Sequence, residues 1–394
     1  MGVFVAAGLV GGGLLVSLLA LLATLIFALK LQKPRSQQVA PTTVILPITG
    51  HVPNLERLLA ALNQQTLPAR RLLIAVESEA DPAFRRAEAA LRACPLHGEI
   101  VLAGRAQSTA QKCWNQLAAL RRIDASDQAV VLLDVDIVPQ AWWLSALVSP
   151  LLDGVADIVT GYRWLLIEEA SLAGHLLAPI DRSIALLPRA PFSSALWGGT
   201  LALSRRALNS LNLPAILGST LADDCSIGEA AAAHGLRSLT RRALLVPSPL
   251  KLGPASAWAF GRRQYQIGHL YLPKLYALAL AAIALRLSAW GVIVWALARD
   301  GAAWAGAAAG LFVILGLGSY AGQQLVARRL GMGDAGSQAW GQLALAVAKP
   351  AVDLFHLSLL IGALYYRRMR WGHVVYRVDG PNTIRVEKRL PWHS

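Results

Sequence analysis

Apolar and polar positions follow three successive rhythms along this chain. Residues 1 to 29 are a run with no charge and no proline. A middle part alternates short apolar runs with amphipathic stretches, and a last part returns to long apolar runs before a basic end. About 20 apolar residues cross a bilayer, so the first run predicts a membrane anchor. A cleaved signal peptide would have a basic start and a shorter apolar core, so the anchor reads as retained. Lys30, Lys33 and Arg35 follow it, and basic residues beside a span mark its cytoplasmic side.

The middle part, residues 39–270, is one domain's worth of alternating pattern with no internal repeat. Strands are expected near Thr43 to Ile48, Arg71 to Val76, Glu99 to Leu102 and Ala129 to Leu133. Later strands are expected near Ile158 to Gly161, Leu201 to Leu203 and Ala243 to Val246. Helices between the first four start near Asn54, Asp81 and Thr109, where Asn54-Leu-Glu-Arg and Asp81-Pro-Ala carry cap and first-turn signals. Apolar β-branched runs separated by amphipathic helices predict an α/β sheet of buried parallel strands.

After Tyr271-Leu-Pro273 the rhythm lengthens. Leu275 to Ala298 and Ala302 to Ala327 are each long enough to span, with Arg299-Asp300-Gly301 between them. Arg286 interrupts the first, which places its start in the interface. Trp340 to Tyr366 holds Lys349, Pro350, Asp353 and His356, a poor composition for lipid contact, and is read as a re-entrant or in-plane helix. The resulting division is an anchor at 1–30, an α/β domain at 39–270, membrane helices at 271–366 and a basic cytoplasmic tail at 367–394.

Composition narrows the class. With 55% hydrophobic and 15% charged residues, the chain is too apolar for a wholly aqueous enzyme, yet has charge for one aqueous domain. The formal net charge of +14 invites nucleic acid, but no module for it appears. Anionic lipid head groups and a nucleotide diphosphate account for it better. Cys94, Cys113 and Cys225 form no CxxC or paired pattern, so neither a zinc site nor a disulfide framework is indicated.

Candidate chemistry begins at Asp134-Val-Asp136, which closes the run Ala129 to Leu133. Ligands of such sheets bind off the carboxyl ends of the strands. Two carboxylates there suit Mg²⁺ or Mn²⁺ with a diphosphate, since these ions prefer hard oxygen ligands. Residues one apart share a side of the chain only while it stays extended.

Further motifs stand in order around this pair: Ile48-Thr-Gly50-His-Val-Pro53-Asn54-Leu, Val76-Glu77-Ser-Glu79-Ala-Asp81-Pro82, Gln111-Lys112-Cys-Trp-Asn115, Trp197-Gly-Gly-Thr200, Leu221-Ala-Asp223-Asp224 and Phe260-Gly-Arg262-Arg263-Gln264-Tyr265-Gln266. The ordered set resembles the family 2 and family 21 glycosyltransferases, most closely the ceramide glucosyltransferase branch, from about Thr42 to Pro273. The resemblance implies a GT-A fold and transfer of a sugar from a nucleotide diphosphate to an acceptor hydroxyl. It implies Asp136 as the metal ligand and Asp224 as the general base, with Asp223 where the family usually has glutamate.

Among the other residues, Glu77, Glu79 or Asp81 is placed to accept a hydrogen bond from a uracil ring. Lys112 and Asn115, one helical turn apart, are placed for a phosphate or ribose, and Asp134 for the sugar or ribose. Trp197, Gly198 and Gly199 offer an aromatic wall and close backbone to the sugar or acceptor. Asp223 and Asp224 precede a helix, whose positive end favours an ionised carboxylate. Arg262 to Gln266, with Gln264 and Tyr265, lies where relatives carry (Q/R)xxRW; Arg263 matches its first position, but Gln266-Ile267 replaces Arg-Trp, leaving Arg262 or Arg263 as the phosphate clamp. In the tail, Arg370-Trp371-Gly372-His373-Val-Val-Tyr376-Arg377 resembles the family's WRG-x-x-Y-R ending.

The expected protein is an integral membrane enzyme with its catalytic domain in the cytoplasm, moving a hexose from a nucleotide sugar such as UDP-glucose to a lipid hydroxyl such as that of ceramide, metal-assisted and inverting. Its partners are the bilayer, the lipid acceptor and the nucleotide sugar, with no nucleic acid. The alternatives are a processive polysaccharide synthase of the same superfamily and a catalytically silent membrane scaffold.

Overall fold

The computed structural model describes residues 2–32, 40–168, 171–189, 194–300 and 303–392. Lys33, Arg35 and the interhelical Gly301 lie outside the described residues. The first elements are α1 (Gly2–Lys30), β1 (Thr42–Pro47), α2 (Leu55–Asn63), β2 (Arg71–Val76), α3 (Pro82–Arg92), β3 (Gly98–Leu102), α4 (Gln111–Leu120) and β4 (Ala129–Leu133). Next come α5 (Trp143–Leu152), β5 (Ile158–Ile167), α6 (Leu172–Leu186), β6 (Thr200–Ser204), α7 (Arg205–Ser210), α8 (Leu213–Leu217), α9 (Asp223–Ala233) and β7 (Ser238–Leu250). The last are α10 (Pro254–Tyr271), α11 (Pro273–Asp300), α12 (Ala303–Arg329), α13 (Gly336–Val347), α14 (Lys349–Tyr365), β8 (Arg368–Trp371), β9 (Val374–Gly380) and β10 (Thr383–Arg389).

The chain divides into two compact units. One comprises residues 32–163, 189–248 and 367–394, and the other residues 1–31, 164–188 and 249–366. β5 and β7 begin in the first and end in the second.

In the first unit the sheet order is β3-β2-β1-β4-β6-β5-β7. β1 pairs in parallel with β2 and β4, Val44 lying opposite both Leu72 and Val131. β6 runs antiparallel to β4 and β5. β1, β2 and β4 are apolar because both sheet faces are covered there; Val44, Ile45, Leu46, Val130, Val131 and Leu132 are wholly buried. α2 adds Leu55, Leu58, Leu59 and Leu62, its spaced apolar face, to the same core. Asp81 caps α3 through Ala83 N–H, as the sequence predicts. Asn54 sits at the cap of α2 without a side-chain bond to it.

The sheet is mixed where the sequence suggested only parallel strands. β6 returns beside β4 after a long excursion, and its five residues show no periodicity that encodes direction. β5 and β7 also outrun the expected segments. Arg163, Arg241 and Arg242 and the prolines Pro247 and Pro249 interrupt their apolar pattern, yet the backbone stays extended.

In the second unit, Phe4–Lys30, Pro273–Arg299 and Ala303–Arg329 are, among the described residues, helices long and apolar enough to cross a membrane. Small residues let these helices approach closely: a side chain at Gly13 would meet Ala289 and Phe312. α13 and α14 bend by 87° at their junction, where Ala348 and Pro350 flank Lys349. Arg286 lies within α11. Asp353 of α14 holds it with bonds of 2.6 and 2.8 Å, and a paired charge is tolerated inside a helix bundle. Residues 367–394, read from sequence as a basic tail, contain three antiparallel strands in the order β10-β9-β8.

Candidate active site

β4 ends at Leu133, so Asp134 and Asp136 lie in the turn beyond it rather than on an extended strand. Asp134 N–H donates to Gly199 O at 3.1 Å, which ties that turn to the Trp197-Gly198-Gly199 segment. Asp134 is half-buried and Asp136 exposed.

Lys112, in the first turn of α4, organises the acids. Its Nζ lies 2.8 Å from Asp134 Oδ1 and 3.1 Å from Asp223 Oδ1, and donates to Gly198 O at 3.3 Å. Burial alone would lower its ammonium, but Asp134, Asp223 and Asp224 hold it well above the ordinary value. Asp223 is buried and takes a second bond from Gln116 Nε2 at 2.6 Å. Gln116 escaped the sequence reading, although it directly follows the motif that ends at Asn115.

Asp223 and Asp224 form the first turn of α9 rather than preceding it. Asp224 Oδ2 accepts the Gly198 N–H at 2.7 Å and Oδ1 the Cys225 N–H at 2.8 Å. The sequence argument expected the helix end to keep this carboxyl acidic. Instead burial, with Asp223 beside it, raises it above the ordinary range; Lys112 and the two amides oppose that only in part. Burial likewise pushes Asp134 up to about 7, Lys112 opposing and Asp136 and Asp223 adding to it.

Gly198 and Gly199 leave little room for a side chain in this geometry. A Cβ at Gly198 would lie 3.0 Å from both Lys112 Nζ and Asp223 Oδ1, and one at Gly199 would fall 2.1 Å from the Trp197 ring. That ring is 9% exposed and packs in the core, 5.8 Å from Tyr162. Trp197 is therefore a packed support for the turn, with little face left to stack a sugar.

The other predicted residues divide into two groups. Asn115 is buried, its amide donating to Ile48 O and Ala75 O at 3.1 Å each, so it ties α4 to the ends of β1 and β2. Asp81 is likewise turned inward, accepting from Thr49 Oγ1, Gly50 N and Ala83 N. Glu77 is 1% exposed, with Arg389 at 2.5 Å, His373 at 3.2 Å and Arg105 at 3.3 Å. Of the three acids after β2, Glu79 is the exposed one. Arg262, Arg263, Gln264 and Tyr265 lie on α10 in the second unit. There Arg262 stands over the Trp258 and Tyr366 rings, with Nε and Nη1 buried and unbonded. Tyr265 Oη lies 2.8 Å from His356 Nδ1.

Among the described residues no group of three or more His, Cys, Asp or Glu could hold a metal. Mg²⁺ is commonly held by one or two carboxylates together with substrate phosphates, and the exposed Asp136 suits that arrangement.

The architecture is that of GT-A glycosyltransferases. It is similar to the mannosyltransferase PcManGT from Pyrobaculum calidifontis in complex with GDP-Man and Mn²⁺, at 16% identity and a TM-score of 0.53, over 91% of this chain and 99% of that one. A second similar structure is glucosyl-3-phosphoglycerate synthase from Mycobacterium tuberculosis in complex with Mn²⁺ and UDP-Glc, at 18% identity and a TM-score of 0.31, over 46% of this chain and 64% of that one. No curated protein matches the chain. Residues 13–384 match the model of glycosyl transferase family 21, and the chain, a glycosyltransferase, belongs to that family.

Proposed function

We propose that this membrane glycosyltransferase moves a hexose, glucose from UDP-glucose, to a lipid hydroxyl such as that of ceramide, by a single inverting displacement. The observation that carries the reading is Asp224, held by two backbone amides beside the Lys112, Asp134 and Asp223 cluster.

In this mechanism Asp224 takes the proton of the acceptor hydroxyl as that oxygen attacks the anomeric carbon. The bond from that carbon to the diphosphate breaks, and the leaving group departs with its electron pair. A carboxyl raised above the ordinary range is better matched to this transfer than an ordinary aspartate. Lys112 fixes Asp134 and Asp223 and lends its charge to the departing diphosphate. Asp136, with the donor's phosphates, would hold Mg²⁺ or Mn²⁺, which offsets charge on the leaving group. On α10, the unbonded N–H groups of Arg262 suit an anionic group.

A lipid acceptor is supported by the three apolar helices. Lys30 ends α1, and Arg328 and Arg329 end α12. By the positive-inside rule both ends face the cytoplasm, which supports a catalytic unit on that side.

The test is the purified chain in lipid nanodiscs, given nucleotide sugars, Mg²⁺ or Mn²⁺ and candidate lipids, with Asp224→Asn in parallel. A glycolipid bearing one sugar, absent with the variant, is the expected product. Polymer would mean a processive synthase, and no consumption of any donor a silent scaffold.

A further inference from the structure

The geometry points to a positioning role for the C-terminal strands: Tyr376 and Arg389 set the start of α4 and thereby the place of Lys112. This rests on the transferase reading only for its consequence on rate.

The start of α4 has a capping deficit. Its N-cap is Ala110, which makes no side-chain bond, and alanine is a poor cap. The first amides of a helix have no partner within it. Here the Gln111 N–H donates to Tyr376 Oη at 2.9 Å, and Tyr376 is 1% exposed. A residue 265 positions away thus pairs with one of the amides the helix leaves open at its start.

Arg389 secures the same turn from a second side. Its Nη2 donates to Gln111 Oε1 at 2.9 Å and to Ala106 O at 2.8 Å, while Nη1 meets Glu77 Oε2 at 2.5 Å. The Gln111 side chain is then saturated. Its Oε1 also accepts from Ala106 N, and its Nε2 donates to Gly104 O and Asn115 Oδ1. Lys112 is the next residue along.

The strands reach this place through a two-residue turn. Trp371 pairs with Val374, leaving Gly372 and His373 as the loop. Gly372 has φ +59°, a conformation glycine adopts without strain and tight hairpins need. His373 at its tip lies 3.2 Å from Glu77 Oε2 and 3.3 Å from Arg389 Nη1, with the Trp392 ring tilted against its own at 3.7 Å. Glu77 therefore anchors the strands, which differs from reading a base.

The experiment uses the full chain in nanodiscs with Tyr376→Phe, Arg389→Gln and Arg389→Lys, each also combined with Lys112→Met. Two quantities are read: the rate of reductive methylation of Lys112 by peptide mass spectrometry, with Lys251 as reference, and kcat and KM for sugar transfer. Lys112 is 13% exposed in its ion pairs and Lys251 60%, so only Lys112 has protection to lose.

The expected result is a severalfold faster modification of Lys112 in Tyr376→Phe and Arg389→Gln, with Lys251 unchanged. Transfer falls about tenfold to a hundredfold, as small misplacements of a reacting group do. Arg389→Lys restores part of both, because an ammonium lacks the guanidinium fork. In the Lys112→Met background the same changes cost nothing further.

Unchanged protection of Lys112 in both variants would overturn the inference whatever the activity. An equal loss of transfer with and without Lys112 would overturn it too. Wild-type protein that transfers no sugar, with Lys112 still exposed by the variants, would defeat the proposed function and leave the positioning role standing.

Discussion

The Gly198 N–H donates to Asp224 Oδ2 at 2.7 Å, so the Trp-Gly-Gly turn and the first turn of α9 hold one carboxylate between them. The same glycine accepts from Lys112 through its carbonyl. A single residue without a side chain therefore sets the separation between the general base we assign and the cation.

Gly198→Ala tests that spacing. Its Cβ would press on Lys112 Nζ and on both Asp223 carboxylate oxygens at 3.0 to 3.1 Å, so they must shift by a few tenths of an ångström. Transfer is expected to fall about tenfold to a hundredfold, with a melting temperature near that of wild type. Unimpaired kcat/KM in the alanine variant would show that the cluster does not need its present spacing.

The pH profile follows from Asp224. Its carboxyl is raised, and as a base it must be ionised, so kcat/KM should fall on acidification from a pH above the ordinary aspartate range. The stability sign is opposite to that of a salt-bridged acid. A raised carboxyl contributes most below its unfolded value, and that contribution is lost as pH rises through the folded one. Asp224→Asn should therefore reduce transfer by about 10²- to 10⁴-fold without lowering the melting temperature at pH 7, measured by a thermal scan in nanodiscs.

Glu77 carries the reverse sign. Burial would raise its carboxyl, but His373 and Arg389 hold it below the ordinary range, so its stabilisation is present above the unfolded value and is lost as pH falls through the folded one. Glu77→Gln leaves Arg389 without its charge partner and should cost about 3 kcal/mol. Hydrogen exchange should accelerate in β8 to β10 before it does in β1 to β4, and uniform acceleration would mean that the pair does not hold these strands.

Metal removal bears on Asp136. Chelation should abolish transfer and added Mn²⁺ restore it, while Asp136→Asn should raise the Mn²⁺ concentration needed for half-maximal rate by about tenfold or more. An Asn variant with the wild-type requirement would remove Asp136 from the metal site.

What was legible in the sequence was short-range. The runs Arg71 to Val76 and Ala129 to Leu133 declare buried strands because each side chain's burial depends on its own position in a local repeat. Asp81-Pro-Ala declares a helix start through bonds made within three residues. Asp134 and Asp136 were singled out because strand ends present ligands, and the apolar spans because bilayer thickness sets their length.

Residue type and order along the chain determined the elements, the membrane helices and the acids at the strand ends, since periodicity and length act locally. Only the tertiary structure decided which of those acids remain available. Glu77 meets Arg389 from 312 positions away, and Gln116 meets Asp223 from 107. Such pairs leave no mark on their neighbours in sequence. Only when the chain folds does a carboxylate like that of Glu77 or Asp81 become an anchor, and one like that of Asp224 a buried acid held above its ordinary range.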